Sequence, residues 1–102
     1  MTPQGVIVET CRILKVYGDP SVTTYTPDTK LDTDLKLVGV RARQCTHALD
    51  YFLFSTPKKG RLKVREFKKA KTVGHLCIIM VFKALGVKVT PASIATFIQK
   101  IS

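Results

Sequence analysis

The chain has 102 residues, of which 45% are apolar, and its 17 Lys and Arg against 7 Asp and Glu give a net charge of +10. This length and apolar content indicate one folded domain, expected to span residues 1–102, and exclude a disordered chain. No uncharged stretch is longer than 11 residues, which excludes a membrane-spanning helix because such a helix needs about 20 apolar residues.

Cysteine usage and the first residues bear on the cellular compartment. Cys11, Cys45 and Cys77 are too few for a disulfide scaffold, and their odd number favours a reducing compartment or a place in the core. The first residues lack the positively charged region of a secretory signal. We therefore expect an intracellular protein, cytoplasmic or nuclear, that is neither secreted nor transmembrane.

The first element is predicted to be a long strand. Residues Gly5–Tyr17 are rich in Val and Ile, which are enriched in strands. Taken alternately, the two faces of this segment are similarly apolar, which is typical of a central strand covered on both sides.

A polar loop and a second strand are predicted next. Gly18–Asp34 contains four aspartates and two prolines, a composition typical of surface turns, with room for a short strand at Val22–Tyr25. Leu35–Arg43 alternates as a second strand would, which places Arg41 and Arg43 on one side.

Residues 50–67 carry the strongest local pattern. Two β-rich runs, Tyr51–Phe54 and Arg61–Phe67, flank a Thr-Pro-Lys-Lys-Gly segment, which predicts a β-hairpin with a bulged turn. In the second run, the basic residues at 61, 63 and 65 would share one face of the strand, with Leu and Val facing inward. A helix over Gln44–Phe54 is the competing interpretation.

The C-terminal part is predicted to be helical. Thr72–Leu85 is apolar nearly all round and is followed by Gly86, which favours a buried helix over the alternative, a central strand. Thr90 and Pro91 suit the start of a second helix, and the apolar residues that follow recur at helical spacing. The predicted fold class is therefore α+β: three to four mostly antiparallel strands, including the basic hairpin, with one or two C-terminal helices packed on the sheet.

All of the net positive charge lies in the second half of the chain. Residues 1–55 carry six basic and six acidic residues, whereas residues 56–102 carry eleven basic residues and one acid, Glu66. Cations about 6–7 Å apart on one strand face would match successive phosphates of a nucleic acid. The competing explanation is a solvated face, or neutralisation by acids of the first half. The predicted nucleic-acid-binding residues are Lys58, Lys59, Arg61, Lys63, Arg65, Lys68, Lys69, Lys71, Arg41 and Arg43.

Aromatic residues near the hairpin bear on the kind of nucleic acid, because exposed rings stack on unpaired bases. Tyr51 is the ring that we expect to be exposed, whereas Phe52 and Phe54 are expected in the core. The chain has no Trp and matches no aromatic RNA-binding motif, so base-specific recognition is not predicted.

Two pairs, Cys45 with His47 and His75 with Cys77, contain residue types that bind zinc. Their one-residue spacing does not fit structural zinc sites, so we expect no metal and no cofactor, with a zinc-stabilised adaptor as the minor alternative. A Cys–His–Asp50 arrangement lacks any accompanying catalytic motif, so we expect no enzyme.

These observations predict a non-enzymatic protein that binds RNA or DNA through phosphates, a property typical of viral accessory or packaging proteins. The alternative is a self-associating, matrix-like structural protein whose basic face binds an anionic membrane surface or an acidic protein. A homo-oligomer is compatible with both.

Overall fold

The computed structural model describes residues 1–101, with side chains for residues 1–100, and this part of the chain forms five helices and no strand. The predicted α+β fold and its antiparallel sheet are therefore wrong. Within the described residues, β pairing is limited to one isolated antiparallel bridge between Lys30 and Thr72. The helices are α1 (Pro3–Tyr17), α2 (Gly39–Leu53), α3 (Val64–Ala70), α4 (Val73–Leu85) and α5 (Pro91–Ile101).

Helix α1 replaces the predicted first strand. Thr2 Oγ1 accepts a hydrogen bond from the Gly5 N–H at 3.1 Å, and Pro3 occupies the first helical turn. A segment with apolar residues on both alternate faces is also what a helix with a wide buried face requires. The buried residues of α1 are spaced in this way: Val6, Ile7, Thr10, Cys11, Ile13 and Leu14.

Helices α2 and α3 replace the second strand and the hairpin. Helix α2 begins at Gly39 and includes Tyr51 in its last turn, so the helical interpretation of Gln44–Phe54 was the better one. At the start of α3, Glu66 Oε1 accepts a hydrogen bond from the Lys63 N–H at 3.1 Å, as an acidic residue in a first turn often does. Phe67 and Ala70 are buried at helical spacing, which alternation between strand faces would not produce.

The segment predicted as the hairpin turn instead packs on the end of α4. The Lys58 N–H donates to Ala84 O at 2.9 Å and the Gly60 N–H donates to Lys83 O at 3.2 Å. These bonds satisfy carbonyls that a helix end leaves without partners. A β-carbon at Gly60 would lie 2.6 Å from Lys83 O, so this close approach requires glycine.

The two C-terminal helices are confirmed. Thr72 Oγ1 accepts from the His75 N–H at 3.2 Å at the start of α4, and Gly86 ends that helix at φ +71°. Thr90 Oγ1 accepts from the Ser93 N–H at 3.2 Å and so caps α5. Helix α4 is apolar nearly all round because it lies at the centre, packed against α1, α3 and α5.

The long connection between α1 and α2 has no strand at Val22–Tyr25. Its aspartates form turns, as predicted: Asp19 Oδ1 accepts from the Ser21 N–H at 2.9 Å, and Asp34 Oδ2 accepts from the Lys30 N–H at 2.8 Å. The connection is nevertheless part of the core, because Tyr25, Leu31, Leu35 and Leu37 are buried. Among the described residues, no helix combines the length and apolar character that crossing a membrane requires.

Candidate nucleic-acid interface

All ten predicted binding residues are exposed, but no hairpin holds them. Arg61, Lys63 and Arg65 do not share a strand face, because Arg61 lies in the segment before α3, Lys63 is the N-cap residue of α3, and Arg65 is in its first turn. The predicted alignment of these three cations along a strand is therefore wrong. Helix α3 instead aligns a different set of cations on one of its faces.

Helix α3 presents its basic residues on one side. Arg65, Lys68 and Lys69 are three and four positions apart, opposite the buried Phe67 and Ala70, and such positions lie on one helix face. Arg65 and Lys69 are separated by about 6 Å along the axis, at 1.5 Å per residue. Lys63 and Lys71 flank the helix at its two ends. We call the following exposed residues the α3 cationic surface: Lys63, Arg65, Lys68, Lys69 and Lys71.

The acid within this segment is directed to other partners. Glu66 Oε2 lies 2.8 Å from Lys83 Nζ on α4, and Glu66 Oε1 accepts from the Lys63 backbone. Burial opposes ionisation of Glu66, but these hydrogen bonds outweigh it and keep the pKa of the carboxyl below its ordinary value. Glu66 is therefore ionised at neutral pH, and its ion-pair partner is Lys83 on α4, while the Lys63 charge makes a smaller contribution to lowering its pKa.

Acids of the first half neutralise little of the basic segment. Of the three ion pairs within the described residues, one, Arg61 with Asp50, joins residues 1–55 to residues 56–102. Hydrogen bonds from Arg61, and from the Leu62 N–H, hold the pKa of Asp50 below its ordinary value despite partial burial. Arg61 is thus the predicted binding residue whose charge is offset by a direct partner.

The remaining predicted residues lie at the margins. The Lys58 side chain passes over the end of α4, where a β-carbon at Gly86 would lie 2.9 Å from Lys58 Cε, and a cation there interacts favourably with the helix dipole. Arg41, in the first turn of α2, contributes to lowering the pKa of Asp19, which hydrogen bonds from Ser21 lower more strongly. Lys59 and Arg43 are exposed and have no ion-pair partner among the described residues.

Lys71 adopts a strained backbone conformation. Its φ is +66° and its ψ is −46°, and the Thr72 N–H donates to Ala70 O at 2.7 Å across it, the pattern of a γ-turn of the rare strained type. Lys36 and Lys59 also have positive φ, at +56° and +49°. A side chain on a residue with positive φ raises the backbone energy by about 1–2 kcal/mol. Lysine at position 71 therefore does not stabilise the fold through its backbone conformation.

We expect Lys71→Gly to stabilise the protein by about 0.5–1 kcal/mol. Relief of about 1–2 kcal/mol of strain is partly offset by about 0.4–1 kcal/mol of added unfolded-state entropy. Urea denaturation measures the difference. The matched control is Lys69→Gly, inside α3 and helical, which should destabilise by about 1 kcal/mol. Equal losses for both variants would contradict the left-handed conformation of Lys71.

The aromatic residues at the end of α2 differ in part from expectation. Tyr51 is 76% exposed, as predicted, and Phe52 is half-buried, but Phe54 is 49% exposed rather than in the core. Phe54 falls just after Leu53, the last buried residue of α2. Arg61 covers one face of Phe54, with Arg61 Cζ 5.1 Å from the ring centroid.

One hollow adjoins these aromatic residues, and a second adjoins the α3 cationic surface. A groove of about 1140 Å³ runs between α1 and α2, and Tyr51 and Phe54 line it. A smaller cavity of about 300 Å³ is lined by Lys68 and Lys71, by Gly39 at the start of α2, and by Asp32. Because residues of both elements line the smaller cavity, the start of α2 lies next to the end of α3.

The Cys and His residues do not form a metal site. Within the described residues, no group of three or more His, Cys, Asp or Glu is placed to hold a metal ion. Burial raises the pKa of Cys45 to about 12, and hydrogen bonding to Cys11 together with burial raises the pKa of Cys77. Asp50, the acid of the imagined Cys–His–Asp50 arrangement, is hydrogen-bonded to Arg61 and to the Leu62 N–H.

No protein-family model matches this chain, and neither a curated protein nor a solved structure matches it. A function is therefore inferred from the geometry and charge of its own residues.

Proposed function

We propose that this protein binds nucleic acid, RNA or DNA, through phosphate contacts made by the α3 cationic surface, without catalysing a reaction. The observation that carries the proposal is that five exposed cations lie on and beside one short helix, and none is within ion-pair distance of an acid among the described residues. Cations of this kind release condensed counterions when they approach phosphates, which drives binding. An intracellular location accompanies this proposal.

The arrangement of charge supports a polyanionic partner over a merely solvated surface. Solubility is served by interspersed charges of both signs. On α3, Arg65 is three and four residues from Lys68 and Lys69, and each like-charge pair at this spacing destabilises a helix by about 0.2–0.5 kcal/mol. The acid that would relieve this repulsion, Glu66, is bound to Lys83. These cations therefore do little for the fold and are available to a ligand.

An anionic membrane surface is the second candidate. Exposed apolar residues at the start of α2 favour it, because Val38 and Val40 are 58% and 66% exposed, and Val38 lines one cavity together with Lys68 and Lys71. Nucleic acid is preferred because Arg65, Lys68 and Lys69 lie on one helix face, with Arg65 and Lys69 about 6 Å apart along the axis, whereas attraction to a lipid surface requires no such order.

A salt series tests the proposal. If all five cations contact phosphates, log affinity for a duplex should fall against log salt with a slope of about −4.5, and with a slope of about −3.5 for a single strand. Lys63→Gln with Arg65→Gln should reduce the duplex slope by about 1.8 and weaken unrelated sequences equally. Fluorescence anisotropy with labelled oligonucleotides measures both quantities.

The controls separate phosphate binding from its alternatives. Arg12→Gln with Lys15→Gln removes the same charge from α1, where Arg12 already pairs with Glu9, and should change the slope much less. Binding that does not respond to salt would contradict the phosphate mechanism. Sedimentation with anionic liposomes, in the absence of oligonucleotide binding at about 50 mM salt, would favour the membrane-binding alternative.

A further inference from the structure

Two aromatic rings, Tyr51 and Phe54, lie in solvent at the end of α2. They pack edge to face with ring centroids 6.3 Å apart and planes at 90°. Tyr51 is 76% exposed and Phe54 is 49% exposed, whereas Phe67, on the adjacent α3, is 1% exposed. Burial of an aromatic side chain stabilises a fold by several kcal/mol. Because Tyr51 and Phe54 are largely or half exposed, they contribute much less than this to the free energy of folding.

Arg61 completes the cluster, and its position is fixed by Asp50. Arg61 Nε lies 3.0 Å from Asp50 Oδ1, and Arg61 Nη2 lies 3.1 Å from Asp50 Oδ2. Asp50 Oδ1 also accepts from the Leu62 N–H at 2.8 Å. These bonds occupy one edge of the guanidinium plane. Arg61 Cζ lies over the Phe54 ring, 5.1 Å from its centroid, and the side chain remains 64% exposed.

The cluster adjoins the α3 cationic surface. Lys63 follows Arg61 by two residues, and two residues of fully extended chain span at most about 7 Å. On its other side the cluster opens on the groove between α1 and α2, where Gln44 and His47 offer hydrogen-bonding side chains. A chain of phosphates on Lys63 and Arg65 would therefore carry its next bases towards the rings.

We propose that Tyr51, Phe54 and Arg61 form a stacking platform for unpaired bases, and that the nucleic acid bound by this protein is single-stranded. Flat aromatic rings and guanidinium planes both stack on bases, and every base has a face suited to such stacking. The bases of a duplex are already stacked on one another, so a duplex could reach the α3 cationic surface and leave the platform empty. This inference rests on the proposed function and specifies its substrate class.

The test compares three labelled ligands of about 12 nucleotides: oligodeoxythymidylate, a duplex, and an abasic strand that has phosphates but no bases. Tyr51→Ala and Phe54→Ala should each weaken oligodeoxythymidylate binding by about 5- to 150-fold, the range measured for loss of one base stack. Both variants should leave duplex and abasic-strand binding within about twofold, with unchanged salt slopes because no charge is removed. Tyr51→Trp should retain binding, and its Trp fluorescence should be quenched by the bases, because the chain has no other Trp.

The matched control is Phe82→Ala, which removes an aromatic ring that is 50% exposed on α4 outside the groove lining; it should leave all three affinities unchanged. Far-UV circular dichroism checks that each variant is folded. Equal effects of Tyr51→Ala on single strand and duplex, or no effect on either, would overturn the platform while Lys63→Gln with Arg65→Gln still supports phosphate binding. If the wild-type protein binds none of the three ligands, the proposed function and the platform are both wrong.

Discussion

Replacing Arg65, Lys68 and Lys69 together with glutamine should weaken duplex binding by about 500-fold at about 0.1 M salt. Each lost phosphate contact removes about 0.9 from the slope of log affinity against log salt, so three contacts remove about 2.7 decades of affinity between 1 M and 0.1 M salt. These residues occupy the outer face of α3, and their loss leaves Lys63 and Lys71 at its two ends. Fluorescence anisotropy across a salt series measures the loss.

The same variant should unfold with almost unchanged free energy. Two like-charge pairs that cost about 0.2–0.5 kcal/mol each are removed, while two basic residues in the last turn, worth about 0.3–1 kcal/mol each with the helix dipole, are also lost. Folding and binding are therefore separable on this face of α3. A large loss of stability would show that the cations serve the fold.

A charge-matched control isolates the position of the cations from the net charge. Lys15→Gln, Lys88→Gln and Lys100→Gln lower the net charge from +10 to +7, as the α3 variant does, but act on α1, the α4–α5 connection and α5. These positions lie outside the α3 cationic surface, so no phosphate contact of that surface is removed, and affinity should fall by less than about tenfold. A control that loses as much affinity as the α3 variant would indicate attraction by net charge alone.

Phe67→Ala should destabilise the protein by about 3–5 kcal/mol. Phe67 is 1% exposed and, with Ala70, holds α3 against the rest of the molecule. A seven-residue helix is not stable in isolation, because helices shorter than about 12–15 residues are marginal in water. The loss is a large part of a total stability on the order of 5–15 kcal/mol. Urea denaturation followed by far-UV circular dichroism measures it.

Phe82→Ala on the neighbouring α4 is the matched control. Phe82 is 50% exposed, so truncating it leaves no buried cavity comparable to that at Phe67. The substitution should destabilise the protein by about 1 kcal/mol or less. Similar losses at the two positions would mean that Phe67 is not the anchor of α3.

The C-terminal helices could be predicted from the sequence because their signals are local. Thr90 caps α5, whose Pro91 and apolar residues follow it directly, and Thr72 and Gly86 cap the two ends of the apolar α4. The same Thr-Pro start occurs at Thr2 and Pro3, but the Val and Ile residues that follow it in α1 favour strands, so the two local signals disagree there. A helix with a wide buried face looks equally apolar on both alternate faces, so alternation alone misled the prediction there.

The predicted β-hairpin is also wrong, because residues with local turn and strand preferences serve tertiary contacts instead. Pro57 and Gly60 suit a turn between strands, but Gly60 serves a close backbone contact with Lys83 on α4, a residue far away in the chain. The alternation of basic and apolar residues at 61–65 runs across the start of α3. At that point the Lys63 N–H donates to the Glu66 side chain instead of pairing with another strand. Local residue preference cannot anticipate partners that only the packed helices supply.

The sequence by itself determined the amount of positive charge and its confinement to the second half of the chain, because charge is a property of composition and order. It also determined exposure of the ten predicted cations, since desolvating unpaired charges is costly. Only the tertiary structure decided which cations act together. Because Phe67 and Ala70 pack inward, Arg65, Lys68 and Lys69 face solvent. Glu66 forms an ion pair with Lys83. Arg61 forms one with Asp50. These partners are distant in the chain and meet only when α2, α3 and α4 pack, so no local pattern could assign them.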